Sequence, residues 1–266
     1  MTSQNKHNPI NDAELKSRLK TLAIRSLFEE GLDEFLDAAK KHRWSPKTLI
    51  AELASRELLE RERRSLQWRL RDCRIGNFTP MADFDWNWPK KIDRAVIEHI
   101  VNADFVAKGD NAVLVGTQGL GKTMIAKNII HNAVHKGHSA LFVQAAQMLV
   151  NLGSQDSASA LERRLRYYIK PKLLCIDEVG YLSYDQRAAD LLFQIVSRRY
   201  EEKSIVITTN MDFKDWPTVF PGATSVASLI DRLIHHSEIT LIEGDSYRKR
   251  QAKKRKAERA KQRGKK

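Results

Sequence analysis

The richest chemistry lies in Gly116-Thr117-Gln118-Gly119-Leu120-Gly121-Lys122-Thr123. Glycines let successive backbone N–H groups turn inward around phosphate oxygens, at the positive end of a following helix. In a loop of this spacing Lys122 is expected to reach the β- and γ-phosphates, and Thr123 to place its hydroxyl on Mg²⁺. The loop follows an apolar run, Ala-Val-Leu-Val over 112–115, and leads into a helical pattern, as the Walker A arrangement requires. ATP with Mg²⁺, held by 116–123, is the expected occupant.

A second signal is Leu173-Leu-Cys-Ile-Asp177-Glu178, an apolar strand that ends in two acids. At the carboxyl end of a buried parallel strand, Asp177 would complete the Mg²⁺ shell and Glu178 would polarise the attacking water as general base. Alone, two acids after a strand suit a helix N-terminus; downstream of a phosphate loop the catalytic reading gains. The next strand ends in Thr209-Asn210. There Asn210 could touch the γ-phosphate or orient the water, although Thr-Thr-Asn is also good turn chemistry. Arg232, in Ser-Leu-Ile-Asp-Arg-Leu-Ile, could supply transition-state charge to a neighbouring subunit's site, or simply pair with Asp231 on the surface.

Other spacings carry less. His131 and His135 lie four apart on the helix after the loop, but without the glutamate of a metalloprotease helix or an evident third ligand. His235-His236 reads as a helix end. The arginine run 61–74, with Trp68 interleaved, could meet a nucleic-acid backbone or form a solvated helical face, since it also holds Glu62 and Asp72.

The elements that must position these residues fall into zones. Residues 12–75 have a helical period: Leu15, Leu19, Leu22, Ala23 and Leu27 share a face, with Gly31 as an expected stop. Leu32, Phe35, Leu36 and Ala39 follow, and Ser45-Pro46 opens a longer helix. Residues 76–91, with glycine, two prolines and the aromatics Phe84, Trp86 and Trp88, read as a linker whose rings pack on something. From 92 to 247, short apolar runs alternate with helices. Strands are expected over 112–115, 140–143, 173–176, 205–208 and 238–242, and helices over 91–107, 122–136, 186–202 and 225–235. That alternation predicts an α/β fold with a parallel sheet covered by helices.

The chain carries a formal net charge of +13, but residues 248–266 alone hold twelve Lys/Arg and one Glu. Such a tail has little to bury and is expected to be disordered when free, binding nucleic acid through phosphates. No apolar stretch is long enough to span a membrane, and the first residues lack a signal-peptide core. With two distant cysteines, Cys73 and Cys175, a cytoplasmic protein is expected.

Taken in order, GTQGLGKT, LLCIDEVGYL, IVITTN and SLIDRLIHHSEITLIEGDSYR, with an FDW segment ahead of them, resemble the IstB/DnaC-like AAA+ ATPases, and the IstB group most. The resemblance implies an AAA+ P-loop domain, with Asp177 and Glu178 as the Walker B pair, Asn210 as sensor 1 and Arg232 as a finger acting in trans. It implies that no full helical lid follows, so that Arg248 corresponds only weakly to a second sensor. It further implies a helical N-terminal domain (1–75) that contacts DNA or a partner, and an ATP-dependent homo-oligomer on duplex DNA. That oligomer would help choose a target and recruit an IstA-like transposase. A DnaC-like helicase loader is the near alternative. A P-loop kinase, or a nucleotide-gated scaffold without turnover, fits the Asp-Glu pair less well.

Overall fold

The computed structural model describes residues 11–29, 31–181 and 183–263, in two units divided between Trp68 and Arg69. The first holds α1 (Asp12–Thr21), α2 (Ser26–Glu29), α3 (Leu32–Lys41) and most of α4 (Pro46–Asp72). The expected helix through Leu27 to Gly31 is broken after Thr21. Ala23 adopts a left-handed φ of 55°, and the N–H of Ile24 returns to the carbonyl of Leu19 at 2.9 Å. This is a Schellman closure made without glycine. Gly31 instead precedes α3 as its N-cap. The same closure ends α3, with Arg43 at φ 49° and the N–H of Trp44 on the carbonyl of Ala39 at 3.0 Å.

Leu19, Leu27, Leu32 and Phe35 form the small core of this unit, with Trp44 edge-on to Phe35 at 5.7 Å. Glu57, buried on α4, accepts the backbone N–H groups of Arg25 and Ser26 at 2.7 and 2.9 Å, satisfying the start of α2. Burial alone would raise its pKa. The Ser26 N–H, the Arg61 guanidinium and the Arg25 N–H outweigh that and bring it from 4.5 to about 2.

The second unit is built on β1 (Asn111–Gly116), β2 (Ala140–Gln144), β3 (Leu173–Val179), β4 (Ser204–Thr209) and β5 (Ser237–Ile242). All pair in parallel, in the order β2-β3-β4-β1-β5. The central strands β1 and β4 are buried throughout, because helices cover both faces. Those helices are α5 (Arg94–Val101), α6 (Phe105–Lys108), α7 (Lys122–His135), α8 (Ala145–Gly153), α9 (Ala158–Ile169), α10 (Gln186–Arg199), α11 (Trp216–Val219) and α12 (Val226–Ile234). The expected helix 91–107 starts late and splits. Asp93 caps α5 by accepting the N–H of Val96, and Ala103 at φ 63° interrupts the chain before α6.

Two zones differ from the sequence expectation. Residues 76–91 belong to the second unit: Phe84 is buried, and Lys91 pairs with Glu243 in an antiparallel bridge. The basic end is a helix, α13 (Tyr247–Arg263), over most of the stretch expected to be disordered. Lysine, arginine, alanine, glutamine and glutamate are all good helix formers, and Ser246 caps the start by accepting the N–H of Lys249 at 3.4 Å. Residues 264–266 of that tail lie outside the described residues. Among the described residues no helix is long and apolar enough to cross a membrane. Cys73 and Cys175 are both free and buried.

Candidate nucleotide site

Because every strand runs the same way, their carboxyl ends share one edge of the sheet. There β1 passes into the loop 116–123, β3 into Asp177 and Glu178, and β4 into Asn210. A cavity of about 460 Å³ opens at this edge. Its walls include Gly119, Lys122, Thr123, Asp177, Glu178 and Asn210, so residues far apart in the chain meet in one place.

The loop's glycines do two jobs. Gly119 and Gly121 have φ values of 79° and 90°, which side chains rarely adopt. A Cβ on Gly121 would also lie 2.6 Å from the Phe84 ring, and one on Gly119 would collide with the Ser246 hydroxyl. Lys122 is buried, its ammonium donating to the carbonyls of Gly116 at 2.5 Å and Thr117 at 2.8 Å. Burial lowers its pKa, and the negative charges of Asp177 and Glu178 oppose that. A cation held this way, at the N-terminus of α7, suits an oligophosphate.

Asp177 is buried on β3, and the hydroxyl of Thr123 lies 3.1 Å from both of its carboxylate oxygens. The Thr208 hydroxyl donates to Asp177 Oδ1 at 2.5 Å. Burial raises the Asp177 pKa above its ordinary value, while Thr208, Thr123 and the Lys122 charge pull it down. A hydroxyl and a carboxylate converging from two elements form an all-oxygen donor set, which suits a hard divalent cation such as Mg²⁺. Both groups therefore fit the residues present: the loop fits a triphosphate, and the Thr123–Asp177 pair fits its metal.

Glu178 adopts a φ of 63°, rare for a side chain other than glycine, where the β3–β4 register shifts between Ile176 and Val179. Its N–H donates to the Thr208 hydroxyl at 2.9 Å. The left-handed φ at Glu178 makes the strand irregular there, Val179 still pairs with Thr209, and Gly180 at φ 87° follows. Asn210 is exposed on the cavity, its amide oxygen near the chain at Gly180.

Arg232 is not brought into this cavity. On α12 its guanidinium lies over the rings of Phe193 at 5.0 Å and Tyr200 at 5.8 Å, both carried by or beside α10. Among the described residues it makes no ion pair with Asp231. His131 and His135 stand with their Nε2 atoms 3.2 Å apart on an exposed face, with Phe78 stacked on His131. Along the arginine run, Arg61 and Arg64 pair with Glu57, and Arg63 pairs with Glu60. The only group of three potential metal ligands among the described residues is the exposed set Glu201, His235 and His236.

One wall went largely unread in the sequence, where Arg248 alone carried a weak link to the nucleotide. Phe84, Asp85 and Trp88 line the cavity, and so do Tyr247 and Arg248 at the start of α13. The Trp88 indole N–H donates to the carbonyl of Asp245 at 2.7 Å, and Lys90 pairs with Asp245 at 3.2 Å, so the two segments close on each other. The clustered aromatics of 84–88 and the Ser-Tyr-Arg of 246–248 were the available signals.

The family described as IstB-like ATP binding protein matches residues 17–257. A protein of Geobacillus stearothermophilus named as the ATP-binding protein of insertion sequence IS5376 is 32% identical over 80% of this chain and 85% of the relative. The corresponding protein of insertion sequence IS21 from Pseudomonas aeruginosa is 31% identical over 84% of each chain. Among solved structures, DnaI superposes with a TM-score of 0.51 at 21% identity, covering 65% of this chain and 90% of that one. That likeness shows the fold, the AAA+ P-loop arrangement of a parallel sheet flanked by helices.

Proposed function

The chain belongs to the IstB-like ATP-binding family, and from that premise we propose that it is a DNA-binding AAA+ ATPase that assists transposition. The observation that carries the reading is the meeting of Lys122, Thr123, Asp177, Glu178 and Asn210 around one phosphate loop, drawn from three strand ends. The relatives' names, which tie them to insertion sequences, support the transposition setting.

In this reading the N–H groups of 116–123 and the Lys122 ammonium bind and orient the β- and γ-phosphates of ATP. Thr123 and Asp177 would hold Mg²⁺, which would supply positive charge to the phosphates. Glu178 accepts the proton of the attacking water, and Asn210 positions that water against the γ-phosphate. Arg232 stands outside its own cavity, as a residue serving a neighbouring subunit must. It completes the next subunit's site when copies assemble on duplex DNA. Hydrolysis then times disassembly, and the assembled state selects the target and recruits the transposase.

The test is release of free phosphate from ATP with Mg²⁺, with and without duplex DNA. Lys122→Ala is expected to abolish both nucleotide binding and phosphate release. Retained affinity for ATP in that variant would overturn the phosphate-loop assignment. Transfer of phosphate to an acceptor would replace the reading with a kinase.

A further inference from the structure

The start of α13 is part of the nucleotide cavity. The N–H of Tyr247 donates to the carbonyl of Gly119 at 2.9 Å, which ties the helix to the phosphate loop. Behind it the Tyr247 ring meets Trp88 edge-on at 6.0 Å. The Arg250 guanidinium lies 4.4 Å from the centre of the Trp88 ring and 3.5 Å from the Asp85 carboxylate. Arg248 lines the cavity, yet its guanidinium makes no hydrogen bond or ion pair among the described residues. Lys122 lines the same cavity, so two cationic side chains share one space. Residues 248–256 of the helix are exposed, and seven of these nine are Lys or Arg, with no acid among them.

We propose that α13 is a DNA arm set by the bound nucleotide: a triphosphate in the cavity seats Arg248, and this fixes the root of a basic helix that lies along the phosphate backbone of duplex DNA. The inference rests on the ATP reading above. Two cations sharing a cavity repel each other, and an anion of high charge between them turns that repulsion into attraction toward the loop. ADP, with one phosphate fewer, holds Arg248 less well. An arm whose root is already fixed loses less freedom when it engages a partner, so the same charges bind more tightly. The partner is identified by charge: a dense row of cations on one exposed helix suits the closely spaced phosphates of a duplex, without base readout.

The experiment uses the full chain and a fluorescently labelled duplex of random sequence, titrated across a salt series with saturating ATP-Mg²⁺ or ADP-Mg²⁺. Protein is kept below the concentration at which light scattering reports assembly. A fluorescent ATP analogue monitors the cavity separately. The wild type is expected to bind the duplex at least about tenfold more tightly with ATP than with ADP, about one pKa unit's worth of free energy. In the variant K253Q/K254Q/R255Q/K256Q, which leaves the cavity intact, the slope of log affinity against log salt should fall by about 2 to 3, since each phosphate contact contributes about 0.9. Arg248→Ala, at nucleotide concentrations shown to saturate it, should lose the ATP-over-ADP preference while keeping most of the slope, and Arg248→Lys should restore part of the preference. An unchanged slope in the quadruple variant, or a wild-type preference in Arg248→Ala, would overturn the arm while leaving nucleotide binding standing. Failure of the wild type to bind the ATP analogue would overturn the ATP reading and the arm with it.

Discussion

Thr208 offers the sharpest test of how the acid pair is held. Its buried hydroxyl accepts the Glu178 N–H at 2.9 Å and donates to Asp177 Oδ1 at 2.5 Å, a relay linking the two acids through one oxygen. Thr208→Val keeps the shape and removes both bonds. A hydrogen bond to a charged group contributes about 1.5–3 kcal/mol, and an N–H left without an acceptor costs about 1–3 kcal/mol. With partial relaxation, a stability loss of about 3 kcal/mol is expected at neutral pH. The loss should depend on pH with a defined sign. Burial already raises the Asp177 pKa above 3.8, and the Thr208 bond is the largest interaction opposing that rise. Without the hydroxyl the folded pKa rises further. A carboxyl whose folded pKa exceeds its unfolded one costs stability above the folded value and nothing below 3.8. The variant's deficit should therefore be full at about pH 7 and shrink as pH falls toward about 4, leaving the part due to the orphaned Glu178 N–H. Urea unfolding of wild type and variant across this range measures it. A valine variant as stable as wild type, or a deficit constant with pH, would refute the relay.

Glu178→Gln should still bind ATP but lose about two to four orders of magnitude in turnover, as expected for removal of a general base. Single-turnover phosphate release measures this, and near-normal turnover would remove Glu178 from that role. Arg232→Ala should bind ATP normally as a monomer and lose DNA-stimulated turnover by about 10³-fold or more. Mixing it with a Lys122→Ala chain should restore some activity, because each supplies what the other lacks, and no restoration would argue against action in trans. Glu57→Gln should destabilise the N-terminal unit by about 1–3 kcal/mol through weakened bonds to the start of α2. The wild-type contribution of Glu57 is fully present above about pH 4.5 and lost as pH falls toward 2. Thermal melts at neutral and acid pH should therefore converge for the two proteins as the pH drops.

The inner strands were legible because a strand buried on both faces must be apolar along its length, and the edge strand β5 because apolar residues alternate along it. The runs 112–115, 140–143, 173–176, 205–208 and 238–242 all fall within observed strands. Breaks made by a left-handed Ala23 or Ala103 were not legible, since alanine at those positions carries no turn signal and only the closing hydrogen bonds reveal them. The cavity was half legible. Glycine spacing and acids after a strand are local patterns, so the phosphate loop and the Asp177-Glu178 pair could be seen. The wall made by Phe84, Trp88, Tyr247 and Arg248 joins segments more than 150 residues apart, and nothing periodic links them. Thr208 looked like one more β-branched strand residue; its hydroxyl gained meaning only when β4 was found between β1 and β3. The basic end reads in the sequence mainly as charge, with Arg248 only a weak match to a second sensor, whereas its first turn lines the cavity.

The measurement that tests the central claim most directly is particle size and DNA occupancy in ATP-Mg²⁺ against ADP-Mg²⁺, on duplex and on single-stranded DNA, at one fixed salt concentration. Cooperative assembly on duplex with ATP, reversed on hydrolysis, is the predicted result. Preference for single strands, or no assembly without a helicase partner, would contradict it and favour a helicase loader.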